Sequence, residues 1–405
     1  MTVTERFLDY VAYDTQSDGK SNTVPSSEKQ LALGKHLVEE LHALGIENAH
    51  LDEYGIVYAW LKGNVEGVET IGWIAHMDTA SEMSGKNVKA RVVRDYDGKD
   101  ILLNEKEQIV MKTSEFPFLK EYVNEDLIVT DGTTLLGGDD KAGIAIIMEA
   151  LDYLVHHPSV LHGRIAIAFT PDEEIGRGTD HFDIQKFGAK FAYTVDGGPI
   201  QTISYETFHA ASALVEIHGS SIHPGSAKGK MINAALVAME LHQLLPALET
   251  PAATDGYEGF FHLCELHGAV EEARMEYIIR DHDREKFERK KALMAAAVGF
   301  INTKYGTDCA VLTMEDSYYN MREKIEEDMS CVDLLEKAYA SLGIAFEVEA
   351  IRGGTDGARL TYEGLPCPNI GTGDHNCHGK YEFVVVSQME TGVKLLVEMA
   401  KLQTE

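Results

Sequence analysis

The sequence predicts an α/β protein, with a mixed, mostly parallel sheet layered between helices and interrupted by an inserted ferredoxin-like α+β lid domain. Three observations predict it. Strand-like apolar runs alternate with segments of helical period, the pattern of a layered parallel sheet. Between residues 208 and 318 the order changes to βαββαβ, the split unit of a ferredoxin-like domain. Several of the strand-like runs also end on metal-ligand residue types, and in parallel sheets the ligand crevice lies outside the carboxyl ends of the strands.

Taken in order, Leu31, Leu33, Leu37, Val38, Leu41 and Leu44 give a helical spacing over 28–44 that stops at Gly45, a C-terminal cap. A strand over 70–75 runs into His76-Met77-Asp78. Residues 142–155 read as a largely buried helix after the Gly137-Gly138 turn, and 164–169 as the strand that follows. That strand leads to Glu173-Glu174, and a strand over 191–195 leads to Asp196. The inserted unit reads as strand 211–218, helix 229–245, strands 259–266 and 273–280, helix 284–305 and strand 309–315. After it come a helix over 331–342, short strands over 346–351 and 368–370, and an amphipathic helix over 386–402. The expected division is therefore a discontinuous catalytic domain, 1–207 with 319–405, flanking a lid of 208–318. At 405 residues the chain exceeds the size, roughly 250 to 300 residues, at which one core stops growing.

Composition narrows the function. There are 36 Lys plus Arg against 66 Asp plus Glu, a formal charge of -30, and no basic stripe, which excludes a nucleic-acid-binding surface. No apolar window is long enough to cross a membrane. The five cysteines, Cys264, Cys309, Cys331, Cys367 and Cys377, form no C-x-x-C pair and suit a reducing compartment. Residues 1–10 carry acidic side chains and no apolar stretch, so the cytoplasm is the expected location.

The chemistry concentrates in five places. His76 and Asp78 are two apart at a strand end, so an extended chain points both the same way and Asp78 can orient the His76 ring. Asp139 and Asp140 open a helix, where acidic residues also serve as N-caps. Glu173-Glu174 and Asp196-Gly197-Gly198 each read equally as solvated turns, and His378 as a loop histidine. Taken together at strand ends, they point to a metal site.

His76-Met77-Asp78-Thr79, Gly138-Asp139-Asp140-Lys141-Ala142-Gly143, Thr170-Pro171-Asp172-Glu173-Glu174, Thr194-Val195-Asp196-Gly197-Gly198 and His378-Gly379-Lys380 resemble the motifs of the di-zinc aminoacylase and carboxypeptidase family. The likeness extends to His223-Pro224-Gly225, Arg280-Asp281 and Arg352-Gly353-Gly354-Thr355-Asp356 and covers nearly the whole chain. The resemblance implies a zinc-peptidase catalytic domain with two Zn2+ per chain. It makes Asp139 the bridging carboxylate, with His76 and Asp196 on one ion and Glu174 and His378 on the other. It also implies that Glu173 is the general base for a metal-bridging water, that Asp78 is the partner of His76, and that the Asp139–Asp140 peptide is cis. His223 becomes the donor to the tetrahedral oxyanion, and Arg280 and Arg352 become clamps for a substrate carboxylate, positions where surface salt bridges are the plainer reading.

The activity so implied is aminopeptidase cleavage of the N-terminal residue from tripeptides. A deacylase or carboxypeptidase on the same two-zinc site is the alternative, and a non-catalytic metal- or peptide-binding protein a third reading. Expected partners are a small peptide substrate and, since family members often dimerise through the lid, a second copy of the chain, with no nucleic acid and no membrane. No H-E-x-x-H helix is present, which sets a thermolysin-like arrangement aside. Against the family pattern, Met77 stands where valine is usual and Gly138 where alanine is usual. Asp374-His375-Asn376-Cys377 replaces a glycine- and tyrosine-containing stretch, which puts His375 in competition with His378.

Overall fold

The computed structural model describes residues 1–405, which divide into two compact units. The first contains Met1–Tyr205, Glu323–Glu349 and Thr355–Glu405, and the second Glu206–Arg322 with Ala350–Gly354. Arg352 therefore belongs to the second unit, whereas the division expected from sequence puts it in the first.

An eight-stranded mixed sheet forms the first unit. Its order is His50–Leu51, Val57–Leu61, Ile165–Thr170, Ile71–His76, Phe191–Val195, Asn369–Ile370, Thr202–Ser204 and Glu347–Val348. Ile71–His76 runs parallel to both Ile165–Thr170 and Phe191–Val195, and Asn369–Ile370 runs parallel to the latter. These central strands are buried along their whole length, which is why they read as continuous apolar runs and not as alternating ones. On one face Ile74, Ala166, Ala168 and Ala192 pack with Phe182, Phe187, Leu360 and Leu365. Against the other lies the helix Gly138–His156, covered in turn by Val3–Tyr10 and Val386–Leu402. Gly143 makes that approach possible, since a Cβ there would sit 1.8 Å from the Val195 carbonyl oxygen.

The register places the site. His76 lies beside Thr170, Ile74 beside Thr194, and Val195 beside Ile370, so the residues following each strand emerge at one edge. A second, antiparallel sheet of Asp374–His375, Phe383–Val385, Leu127–Val129 and Arg91–Val93 stands near that edge through the turn at residues 136–139. Sequence periodicity gives no sign of it, because its strands are two or three residues long.

The second unit is the predicted ferredoxin-like domain. Its antiparallel sheet has the order Phe260–Gly268, Glu272–Asp281, His209–His218 and Ala310–Tyr318. One face carries Ala211, Ala213, Val215, Ile217, Met275, Tyr277 and Ile279, and packs on Val237 and Leu241 of one helix and Phe287, Met294 and Ile301 of the other. The first helix is shorter than the predicted 229–245 and runs Ala234–Gln243. Asn233 ends the preceding turn by capping, its side chain accepting from the Leu236 N–H at 3.3 Å. The expected strand over 346–351 is reduced to Glu347–Val348, an exposed edge. No helix is long and apolar enough to cross a membrane.

Candidate metal centre

His76 closes its strand with a buried ring whose two nitrogens are both engaged. Its Nδ1 lies 3.1 Å from the Asp78 carbonyl oxygen and 3.3 Å from Asp78 Oδ1, and its Nε2 lies 2.8 Å from Asp139 Oδ1. Asp78, fully buried, has a second task. Its Oδ1 accepts the Glu173 N–H at 2.9 Å and its Oδ2 the Glu174 N–H at 3.2 Å, so one carboxylate orients the His76 ring and ties down both glutamates. Behind the pair, Asp172 holds a left-handed backbone, φ +57°, and its carboxylate accepts from the Ser26 N–H, the Ser26 hydroxyl and the Gln30 amide.

Asp139 occupies the centre. Its Oδ2 lies 3.2 Å from His378 Nε2, opposite the Oδ1 that faces His76, and the same His378 nitrogen is 3.0 Å from Glu174 Oε2. The Asp139–Asp140 peptide is cis, as the resemblance implies. Neither aspartate is the helix N-cap; that position is Gly137, which has no side chain to cap with. Asp140 instead turns inward, its carboxylate accepting from the His76 N–H at 3.1 Å and the Gly143 N–H at 3.2 Å. Ligand atoms of His76, Asp140 and Asp196 lie within 4.8 Å of one another, and so do those of His76, Asp139 and Glu174.

His378 sits in the loop joining the strands Asp374–His375 and Phe383–Val385, with φ +63°. The competing His375 faces elsewhere. Its ring stacks 4.8 Å from Phe383 and lies against Phe118 and Tyr122, and burial lowers its pKa to about 4, so it is neutral aromatic packing. Cys377 donates its thiol to Asp374 Oδ2 at 2.9 Å. A Cβ at Gly138 would lie 2.7 Å from Val384 Cγ2 and 3.2 Å from Asp374 Cβ, so the departures from the family pattern at 138 and 374 touch each other.

Sequence reasoning passed over Glu382. Its buried carboxylate accepts from four consecutive backbone N–H groups, those of Leu136 at 2.6 Å, Gly137 at 3.0 Å, Gly138 at 2.6 Å and Asp139 at 3.3 Å. The only signal was a carboxylate four residues after His378 and next to the apolar run Phe383-Val384-Val385, which reads as an exposed strand start.

The electrostatics are those of a cation site. Burial, then the neighbouring Asp139, pushes Glu174 up to about 7, and the same two causes push Asp196 up to about 6. Burial likewise raises Glu173 well above the ordinary carboxylate range. Asp139 moves the other way, since burial opposes its charge but His378 and His76 hold it below that range. Hydrogen bonds to Asp139 and Glu174 push His378 up to about 11. Glu174 Oε1 is buried without a hydrogen-bond partner, an acceptor aimed at a cation. This set of imidazole nitrogens and carboxylate oxygens, with a buried acceptor left over, fits Zn2+ or a similar divalent ion.

The remaining predicted residues lie in the second unit. His223 is in a turn, its Nδ1 accepting the Gly225 N–H at 3.1 Å, which leaves the ring proton on Nε2. Both terminal nitrogens of Arg352 bond within that unit, with Nη1 3.0 Å from the Glu258 carbonyl oxygen and Nη2 3.0 Å from Thr254 Oγ1, over the rings of Phe208 and Phe260. Arg280 is held more loosely; Nη1 reaches the Arg352 carbonyl oxygen at 3.4 Å, and its buried Nε has no partner.

The chain is similar to known proteins along nearly its whole length. A family model described as peptidase family M20/M25/M40 matches residues 130–402. A protein named peptidase T from Caldanaerobacter subterraneus subsp. tengcongensis is 53% identical over 401 residues, covering 99% of this chain and 98% of the relative. Among solved structures, an aminopeptidase PepT from Bacillus cereus ATCC 10987 aligns with a TM-score of 0.78 at 22% identity, covering 100% of this chain and 98% of that one. A tripeptidase from Staphylococcus aureus aligns with a TM-score of 0.77 at 21% identity, with the same coverage.

Proposed function

The chain belongs to peptidase family M20/M25/M40, and from that premise we propose that it is a di-zinc aminopeptidase removing the N-terminal residue of tripeptides. The observation that carries the reading is the Asp139 carboxylate, one oxygen facing His76 and the other His378, which also meets Glu174, while Asp78 fixes the backbones of Glu173 and Glu174. Asp139 would be shared by two ions, His76 and Asp196 serving one and Glu174 and His378 the other. Held by these residues, divalent ions would supply Lewis acidity to a water and to the scissile carbonyl.

In this reading Glu173 is the proton carrier. Its backbone is locked by Asp78, and burial raises its carboxyl well above the ordinary range, so it can hold a proton taken from the attacking water and return it to the departing amine. Asp78 keeps the His76 ring in one orientation and leaves its Nε2 facing the centre. His223, with its proton on Nε2, is suited to donate to the oxyanion. Of the two arginines, Arg280 is the better clamp for the peptide carboxylate, because the donors of Arg352 already serve Thr254 and Glu258. The cytoplasm, where free small peptides occur, is the location that suits this activity.

Zinc-loaded protein offered a free tripeptide, its N-acetylated form and the matching dipeptide tests the assignment. Release of the N-terminal residue from the free tripeptide alone is the expected result. Cleavage of the acetylated peptide with the free one untouched would instead establish a deacylase.

A further inference from the structure

The segments that carry Asp139 and His378 are 239 residues apart in sequence; the strand after the His378 loop pairs with Leu127–Val129, and one carboxylate of that loop bonds the backbone of the Asp139 turn itself. Glu382 lies four residues after His378, in the strand-connecting loop, and its two oxygens accept from every N–H between Leu136 and Asp139. Oε2 takes Leu136 and Gly137, and Oε1 takes Gly138 and Asp139. Without that carboxylate four consecutive backbone donors, three of them buried, would lose their partner, in a turn that Gly137 bends with φ +84°. Charge-assisted bonds of this kind are shorter and roughly twice as strong as neutral ones, so they fix the turn more tightly than a peptide carbonyl could.

We infer that Glu382 is the positioning residue of the metal centre, clamping the Asp139 turn to the His378 loop so that the bridging carboxylate and its histidine keep one register. This rests on the metallopeptidase reading of the site. Glu382 faces backbone N–H groups on both oxygens, so it is not itself a ligand. Its action is on where Asp139 and His378 stand, and hence on metal affinity and on the rate of the chemical step, with little effect on peptide binding.

Glu382→Gln is the informative variant. The amide keeps the size of the side chain but turns an NH2 group against two of the four N–H donors. Metal-free wild type and variant are titrated with Zn2+ against a competing chelator, and both are then loaded with Co2+ for visible absorption spectra. The variant is expected to lose about 10- to 100-fold in affinity for at least one ion. Its cobalt spectrum should shift, and kcat for a tripeptide should fall while KM stays within about twofold. Wild-type affinity and an unchanged cobalt spectrum in the variant overturn the inference and leave the metallopeptidase reading intact. Failure of the wild type to bind Zn2+ overturns both. Hydrogen exchange on the wild type tests the clamp even if the variant does not fold: the amides of residues 136–139 should exchange about as slowly as the central strands, and rapid exchange there overturns the inference.

Discussion

Glu173 and Glu174 are neighbours in the chain yet stand in different surroundings, and one buried aspartate accounts for the difference. Asp78 accepts a backbone N–H from each, which fixes the short helical turn Glu173–Ile175 and leaves only Glu174 within reach of His378, at 3.0 Å. Glu173→Gln should therefore keep about two zinc ions per chain while turnover falls by several orders of magnitude, since the ligands remain and the proton carrier is gone. Near-normal turnover would rule Glu173 out. Asp78→Asn changes the acceptors offered to the Glu173 and Glu174 amides and weakens the support of the His76 ring. An expected loss of about 10- to 100-fold in metal affinity is checked by the same chelator competition. At this scale the pair itself was visible in the sequence, but which glutamate faces the histidine came only from the family resemblance and not from the residues, because it depends on a hydrogen bond across 96 residues.

The elements that carry the site were the ones the sequence announced most clearly. Ile71–His76, Ile165–Thr170 and Phe191–Val195 are buried on both faces, so their apolar runs are unbroken, and each leads, at its end or within a few residues of it, to a polar residue of the centre. The alternation in His209–His218 and Glu272–Asp281 made the second unit equally readable, since one face of its sheet is buried and the other is not. What stayed hidden was the small sheet holding His378, whose strands are too short for a period, and Glu382, whose partners are all backbone. Gly143 shows how tightly element packing governs the site. Gly143→Ala would drive a methyl into the Val195 carbonyl, one residue before Asp196, so the helix and strand must separate. A destabilisation of about 1–3 kcal/mol or more, with weaker binding of the ion that Asp196 serves, is the expected outcome in thermal melts and zinc titration.

For the molecule as a whole, the centre concentrates buried carboxylates that repel one another until a cation joins them. In the metal-free chain Glu174 at about 7 and Asp196 at about 6 lie above the roughly 4 of an unfolded carboxyl, and His378 at about 11 lies above the roughly 6.5 of an unfolded imidazole. In each window the folded state holds more protons than the unfolded one, so the stability these groups contribute falls as pH rises, through about 4 to 7 for the carboxyls and above about 6.5 for His378. Metal binding replaces those protons, so the difference in Tm between loaded and chelator-treated protein should widen from about pH 5 to about pH 8. A difference that does not change with pH would contradict that picture of the site. The claim on which everything else depends is that two ions share Asp139. Counting the zinc bound per chain in wild type and in Asp139→Asn tests it most directly. About two ions in the wild type and a marked loss of affinity for both in the variant are predicted, whereas a variant that keeps both at wild-type affinity would contradict the bridge.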